Sequence, residues 1–134
     1  MRQHWIILAL CAVSTLGGCA SVTQVKAGQH DRFRNALVES CRSIQNADFP
    51  AARGHLRQAE SLAQNQEQAA KVDDLKMICS GAEALNAGEP RQAARAWLGV
   101  QNASLKNQLV VLADEEGINL VALAADHTQE EVNP

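Results

Sequence analysis

A chain of 134 residues is long enough for one domain and a modest core once its leader is removed, and too short for two ordinary domains. Its formal charge of −3 becomes −4 when Arg2 leaves with the leader, which argues against nucleic acid and against a polybasic membrane-binding surface. Three prolines, no tyrosine and a chain rich in alanine and glutamine with few β-branched clusters predict an all-α fold.

The chain opens on Met1-Arg2, an apolar run from Trp5 to Leu16, and Leu16-Gly17-Gly18-Cys19. A basic start, a short apolar core and small residues before a cleavage point read as a secretory signal. The run of about twelve residues is too short to span a bilayer core, which takes about twenty. The Leu-Gly-Gly-Cys segment resembles a bacterial lipobox. That resemblance implies diacylation of Cys19, cleavage before it, and a mature chain from Cys19 to Pro134 held to a membrane by lipid. Residues 1–18 are then the signal peptide. Ala20 follows Cys19 where an aspartate would signal inner-membrane retention, so the analogy with enteric lipoproteins implies the periplasmic face of the outer membrane. The competing reading is a secreted protein cut at an ordinary small-residue site.

Cysteine usage follows from this processing. Cys11 leaves with the leader and Cys19 carries lipid, so Cys41 and Cys79 remain. In an oxidising envelope compartment the two are a natural disulfide pair, closing a loop of about 38 residues for which chain entropy gives roughly 4 kcal/mol. The alternative is a pair of buried cysteines packing as small hydrophobes. Without a Cys-x-x-Cys pair or a nearby histidine cluster they do not build a zinc site.

Residues 19–30 read as a polar, aperiodic tether, and residues 31–125 as the helical domain. In the first helix Phe33, Ala36, Leu37, Ser40, Cys41 and Ile44 recur at helical spacing and lay one apolar or small-residue stripe. After Asn46-Ala47-Asp48, a second helix begins near Phe49 with Asp48 as N-cap, because Pro50 is tolerated in a first turn. Its buried stripe is Ala52, Leu56, Ala59 and Leu62, and Gln64-Asn65-Gln66 ends it. A third helix from about Glu67 carries Leu75, Ile78, Cys79, Ala82 and Leu85 on one face. The turn then returns: Asn86-Ala87-Gly88-Glu89-Pro90 repeats Asn46-Ala47-Asp48-Phe49-Pro50 at an offset of 40 residues. A fourth helix follows with Ala93, Trp97 and Val100 inward, matching Ala52, Leu56 and Ala59 at 41. A fifth, from near Ser104, carries Leu105, Leu109, Leu112 and Ala113 to a stop at Gly117, and residues 126–134 form a disordered tail. An internal period of this size marks a repeat architecture. The expected fold is about five antiparallel helices, two repeated pairs and a C-terminal cap.

The second half of each unit resembles a tetratricopeptide repeat. Ala47-Asp48-Phe49-Pro50-Ala51-Ala52 through Leu56 and Ala59, and Ala87-Gly88-Glu89 through Ala93, Trp97 and Val100, match that family's turn and second helix. Gly81 stands 12 residues before Ala93, where the family places a small residue at the helix crossing, and Cys41 lies near that place in the first unit, one residue off register. The usual first-helix aromatic is missing and the period is longer than the family's. The resemblance, over about residues 31–101, implies protein binding: a concave helical surface acting as an assembly adaptor. Exposed candidates for partner contact are Arg53 with Arg57 and Arg91 with Arg95, each pair four residues apart on a second helix and able to grip carboxylates. Trp97 is weighed between a core residue and a hot spot.

For catalysis the sequence offers little. His30 lies in the tether, His55 on a helix surface and His127 in the tail, and no nucleophile elbow, phosphate-binding glycine loop or zinc-binding helix motif appears. Asp73-Asp74 and Glu115-Glu116 are adjacent carboxylates that diverge on a helix, and both pairs are expected at the solvated surface. The reading is non-catalytic, with no cofactor and no metal. The expected partners are a membrane, through lipid on Cys19, and an envelope protein or peptide. A chaperone resembling secretion pilotins, which cradle one amphipathic peptide, is the alternative. A structural spacer without a ligand is the third.

Overall fold

The computed structural model describes residues 24–125, which form six helices and no strand: α1 (Gln24–Gln45), α2 (Phe49–Leu62), α3 (Gln66–Asn86), α4 (Pro90–Leu98), α5 (Ala103–Glu115) and α6 (Leu120–Ala125). The all-α expectation holds. The expected signal peptide over residues 1–18, Cys19 and the expected tail over residues 126–134 lie outside the described residues. Two differences from the sequence reading stand out. Part of the expected tether is helical, since α1 starts at Gln24 rather than near Asp31. Gly117 ends α5 and a short sixth helix follows.

The chain divides into two compact units between Lys76 and Met77, inside α3. In the first unit α1 and α2 pack as a hairpin. Phe33 and Ala36 from α1, Ala59 from α2 and Val72 from the first half of α3 form a buried cluster, with Leu37, Leu62 and Ala63 packed against it. Ile44, Ala52 and Leu56 are buried along the same two helices. Small residues let the helices approach. Ser40 is fully buried in mid-helix, and its hydroxyl donates to the Leu37 carbonyl at 2.7 Å, so burial leaves no polar atom unmatched. The charged pairs are exposed and contribute little: Glu39–Arg42, Glu67–Lys71, and Lys76 reaching Glu60 on α2 at 2.7 Å.

In the second unit α4 packs against α5 and α6. The core is built on Trp97, with Ala93, Ala94 and Val100 from the same stretch and Leu109, Ala113 and Leu120 from the last two helices, all buried. The Trp97 indole N–H donates to the Ile78 carbonyl at 3.1 Å, and its ring lies against Gly81. A methyl group at Gly81 would stand 2.2 Å from the indole nitrogen, closer than real side-chain carbons come to a neighbour. Gly81 is therefore a requirement of the ring's position, as the sequence reading expected of that residue.

The repeat has one register, and it is 41 rather than 40. At the end of α1, Asn46 N–H donates to Arg42 O, Ala47 N–H to Ile44 O, and Asp48 N–H to Ser43 O. At the end of α3, Ala87 N–H donates to Glu83 O, Gly88 N–H to Leu85 O, and Glu89 N–H to Ala84 O. Every donor and acceptor is displaced by 41. Both are Schellman turns, whose C′ residue takes a left-handed conformation, here Ala47 at φ 57° and Gly88 at φ 78°. The Asn-Ala alignment at 40 is a coincidence of letters. Pro50 and Pro90 accordingly take the second and first positions of their helices. In this register Ser40, not Cys41, corresponds to Gly81. The same turn closes α5, with Ile118 N–H donating to Ala113 O, Gly117 N–H to Asp114 O, and Gly117 at φ 78°. What was read as a cap is a third, shortened hairpin.

The helix starts are unequal. Asp48 caps α2 through Ala51 N–H, Asn102 caps α5 through Leu105 N–H, and Asn119 caps α6 through Ala122 N–H. At α3 the Asn65 side chain accepts from Gln68 N–H, while the Gln68 side chain accepts from Gln64 N–H, a reciprocal arrangement close to a capping box. Glu89 makes no side-chain cap for α4.

Three outcomes follow for chemical denaturation. Gly81→Ala lowers stability by about 1–3 kcal/mol, and combining it with Trp97→Leu gives less than the sum of the two single losses. Ala47→Gly raises stability by up to about 1 kcal/mol by relieving the left-handed strain. Asp48→Ala costs about 1 kcal/mol, whereas Glu89→Ala costs little because Glu89 caps nothing.

Candidate binding surfaces

Of the residues singled out in the sequence, four arginines are exposed. Arg53 and Arg57 are exposed on α2, and Arg91 and Arg95 on α4. Spacing of four puts each pair on one face of its helix. Arg57 and Arg95 form no ion pair among the described residues. The two pairs are not copies of each other. In the 41-residue register Arg53 corresponds to Ala94, which is buried, and Arg57 to Leu98, which is half-buried. The difference has a cause within the second unit: α5 and α6 pack on α4. Each arginine pair is thus a feature of its own helix rather than of the repeat.

Trp97 is a core residue and not a hot spot. It is 2% exposed, its N–H is satisfied inside the unit, and Gly81 fits its ring. The disulfide expectation gains no support. Cys41 and Cys79 are both buried, and no disulfide joins them. Cys41 belongs to the core of the first unit and Cys79 to that of the second. They are not at equivalent positions of the repeat, since Cys41 corresponds to Ala82 and Cys79 to Val38. Each fills its place as a small hydrophobe would.

The remaining titratable groups are scattered. His30 is exposed, His55 is partly buried, and His127 lies outside the described residues. Glu115 and Glu116 are exposed, as expected, but the Asp73-Asp74 pair is split. Asp73 faces solvent, while Asp74 is buried on the inner side of α3. Adjacent helical residues point about 100° apart, which makes that separation possible. No group of three or more histidine, cysteine, aspartate or glutamate side chains able to hold a metal occurs among the described residues. The carboxyl pKa of Glu67 is lowered by its hydrogen bond to Lys71 and by that ammonium's charge. The pair's small contribution is present above the carboxyl's unfolded value and is lost as pH falls through the lowered folded one.

Among the described residues, the large apolar side chains of Val38, Met77, Val111 and Val121 reach solvent. No helix among the described residues is long and apolar enough to cross a membrane. Comparison of the chain with family models, with curated proteins and with solved structures finds no match.

The thiol assignment is open to direct titration on residues 21–134. Without reductant, both Cys41 and Cys79 react in denaturant and neither reacts in the native protein; a zero thiol count in denaturant would restore the bridge.

Proposed function

We propose that the mature chain, Cys19–Pro134, is a lipid-anchored lipoprotein of the bacterial cell envelope. It serves as a non-catalytic adaptor that binds a protein partner through its helical hairpins. The anchor rests on Leu16-Gly17-Gly18-Cys19 after a short apolar run, and Ala20 favours the outer membrane, with the domain on its periplasmic side. The binding role rests above all on one observation: a helix–turn–helix unit recurs with the same three turn hydrogen bonds 41 residues apart. Repeated hairpins spend their small residues on close helix packing and leave whole helix faces for partners. The tetratricopeptide-like placing of Gly81, Ala93, Trp97 and Val100 belongs to the same reading.

Partner contact falls to the exposed arginines, Arg53 with Arg57 and Arg91 with Arg95. A guanidinium offers a planar fork of donors to a carboxylate, so an acidic segment is the matching ligand. Interface arginines at the centre of such a contact commonly cost more than 1 kcal/mol when truncated.

Fractionation and capture test both halves of the proposal. Cys19→Ser shifts the protein from the membrane to the soluble or uncleaved fraction, and retention of a processed form at the membrane would sink the lipid anchor. Cross-linking and affinity capture of the lipidated protein recover one dominant envelope partner, and Arg53→Glu with Arg57→Glu reduces that recovery at least tenfold. A secretin-type partner bound by one peptide would make the protein a pilotin-like chaperone. Recovery of no partner above control would leave the spacer reading.

A further inference from the structure

Residues 28–32 of α1 are all exposed, and the first buried residue after them is Phe33, from which the stripe of Ala36, Ser40, Cys41 and Ile44 continues into the core. The helix itself begins at Gln24, nine residues and about 13 Å ahead of Phe33. A helical stretch this short is marginal by itself. The exposed side chains of residues 28–32 are available to another surface.

Charge along the chain points to that surface. Between Ala20 and Val38 stand Lys26, Arg32 and Arg34 against the single acid Asp31, a formal +2. From Glu39 to Pro134 eight basic residues meet fourteen acidic ones, a formal −6. The mature chain is acidic except where it leaves Cys19. Arg32 and Arg34 are exposed and form no ion pair among the described residues. His30 and Arg34 are four apart and share a helix face.

We infer that the exposed start of α1 is a membrane-contact element, which lies on the anionic phosphate headgroups of the leaflet that holds the lipid on Cys19. The inference rests on the lipid-anchor reading above and adds a second attachment to it. Only residues 20–23 separate the anchor cysteine from Gln24, a reach of at most about 18 Å. Arg32 and Arg34 lie about 12 and 15 Å further along α1, and they meet the leaflet when this end of the helix lies along it, where each basic side chain within a Debye length is worth roughly a fivefold gain in surface binding. One acyl-type anchor reinforced by basic residues is a general way of making membrane attachment firm. The acidic remainder of the chain is repelled by the same surface. The element thus fixes which end of the first hairpin meets the membrane and leaves the α1–α2 turn at Ala47 pointing away along the helix.

The test uses the mature chain, Cys19–Pro134, coupled through Cys19 to a maleimide lipid in vesicles, the burial of Cys41 and Cys79 making that reaction selective. Amide hydrogen exchange over residues 26–32 is compared on phosphatidylcholine alone and on phosphatidylcholine with phosphatidylglycerol. Exchange slows about tenfold on the anionic vesicles at low salt. The slowing disappears in Arg32→Gln with Arg34→Gln and at high salt, and persists in the control Lys71→Gln with Lys106→Gln. Equal exchange on the two vesicles, or slowing that survives Arg32→Gln with Arg34→Gln, overturns the inference. Protection that appears only on adding an acidic protein would also overturn it, and would assign the same residues to a protein partner. Because the coupling is chemical, the outcome does not depend on whether cells acylate Cys19, which the Cys19→Ser fractionation decides separately.

Discussion

In the second unit everything is arranged around the bare backbone of Gly81. Trp97 is the largest fully buried side chain there, and its ring occupies the space that any Cβ at residue 81 would claim. The indole N–H could not be buried without a partner, and the Ile78 carbonyl one turn earlier supplies it. With Trp97 in this position, the approach at residue 81 requires glycine. The corresponding positions of the first unit hold Ser40 and Leu56, both buried, a slightly larger small residue and a smaller large one. Ser40 returns its hydroxyl to its own helix, so the exchange introduces no orphaned polar atom.

Chain reversals are the second shared element. A Schellman turn ends α1, α3 and α5, and each places one residue at positive φ. Gly88 and Gly117 take that conformation readily. Ala47 takes it against its intrinsic preference, held by the three turn hydrogen bonds and by the cap that Asp48 makes at the start of α2. In the second unit the order is reversed: the turn residue is ideal and the cap is absent. Local stability is distributed differently across two copies of one geometry.

Residues that shape the hairpins are small or apolar and are buried. On the outer faces the two units diverge: Arg53 and Arg57 have buried or half-buried counterparts in Ala94 and Leu98. In the adaptor we propose, a common scaffold with unlike surfaces would present different contacts from similar hairpins, and recognition would fall to those outer side chains. Charge along the chain is uneven as well, basic between Ala20 and Val38 and acidic beyond.

The sequence alone determined the helical class, four of the helix stripes, the N-cap at Asp48 and the stop at Gly117, because periodicity, capping chemistry and glycine act within one or two turns of chain, whereas what Gly81 does depends on Trp97, far along the chain. It also misled where local signals were degenerate. Asn-Ala-x-x-Pro at an offset of 40 looked like a repeat boundary, yet the hydrogen bonds run at 41, since a turn is defined by its left-handed residue and not by its letters. A bridge between Cys41 and Cys79 was not legible either way, because pairing depends on the distance between Cα atoms, which no spacing reveals. Asp74 looked like a surface acid until the orientation of α3 turned it inward. The tertiary structure decided those points because each depends on which face of a helix meets a neighbour far away in sequence.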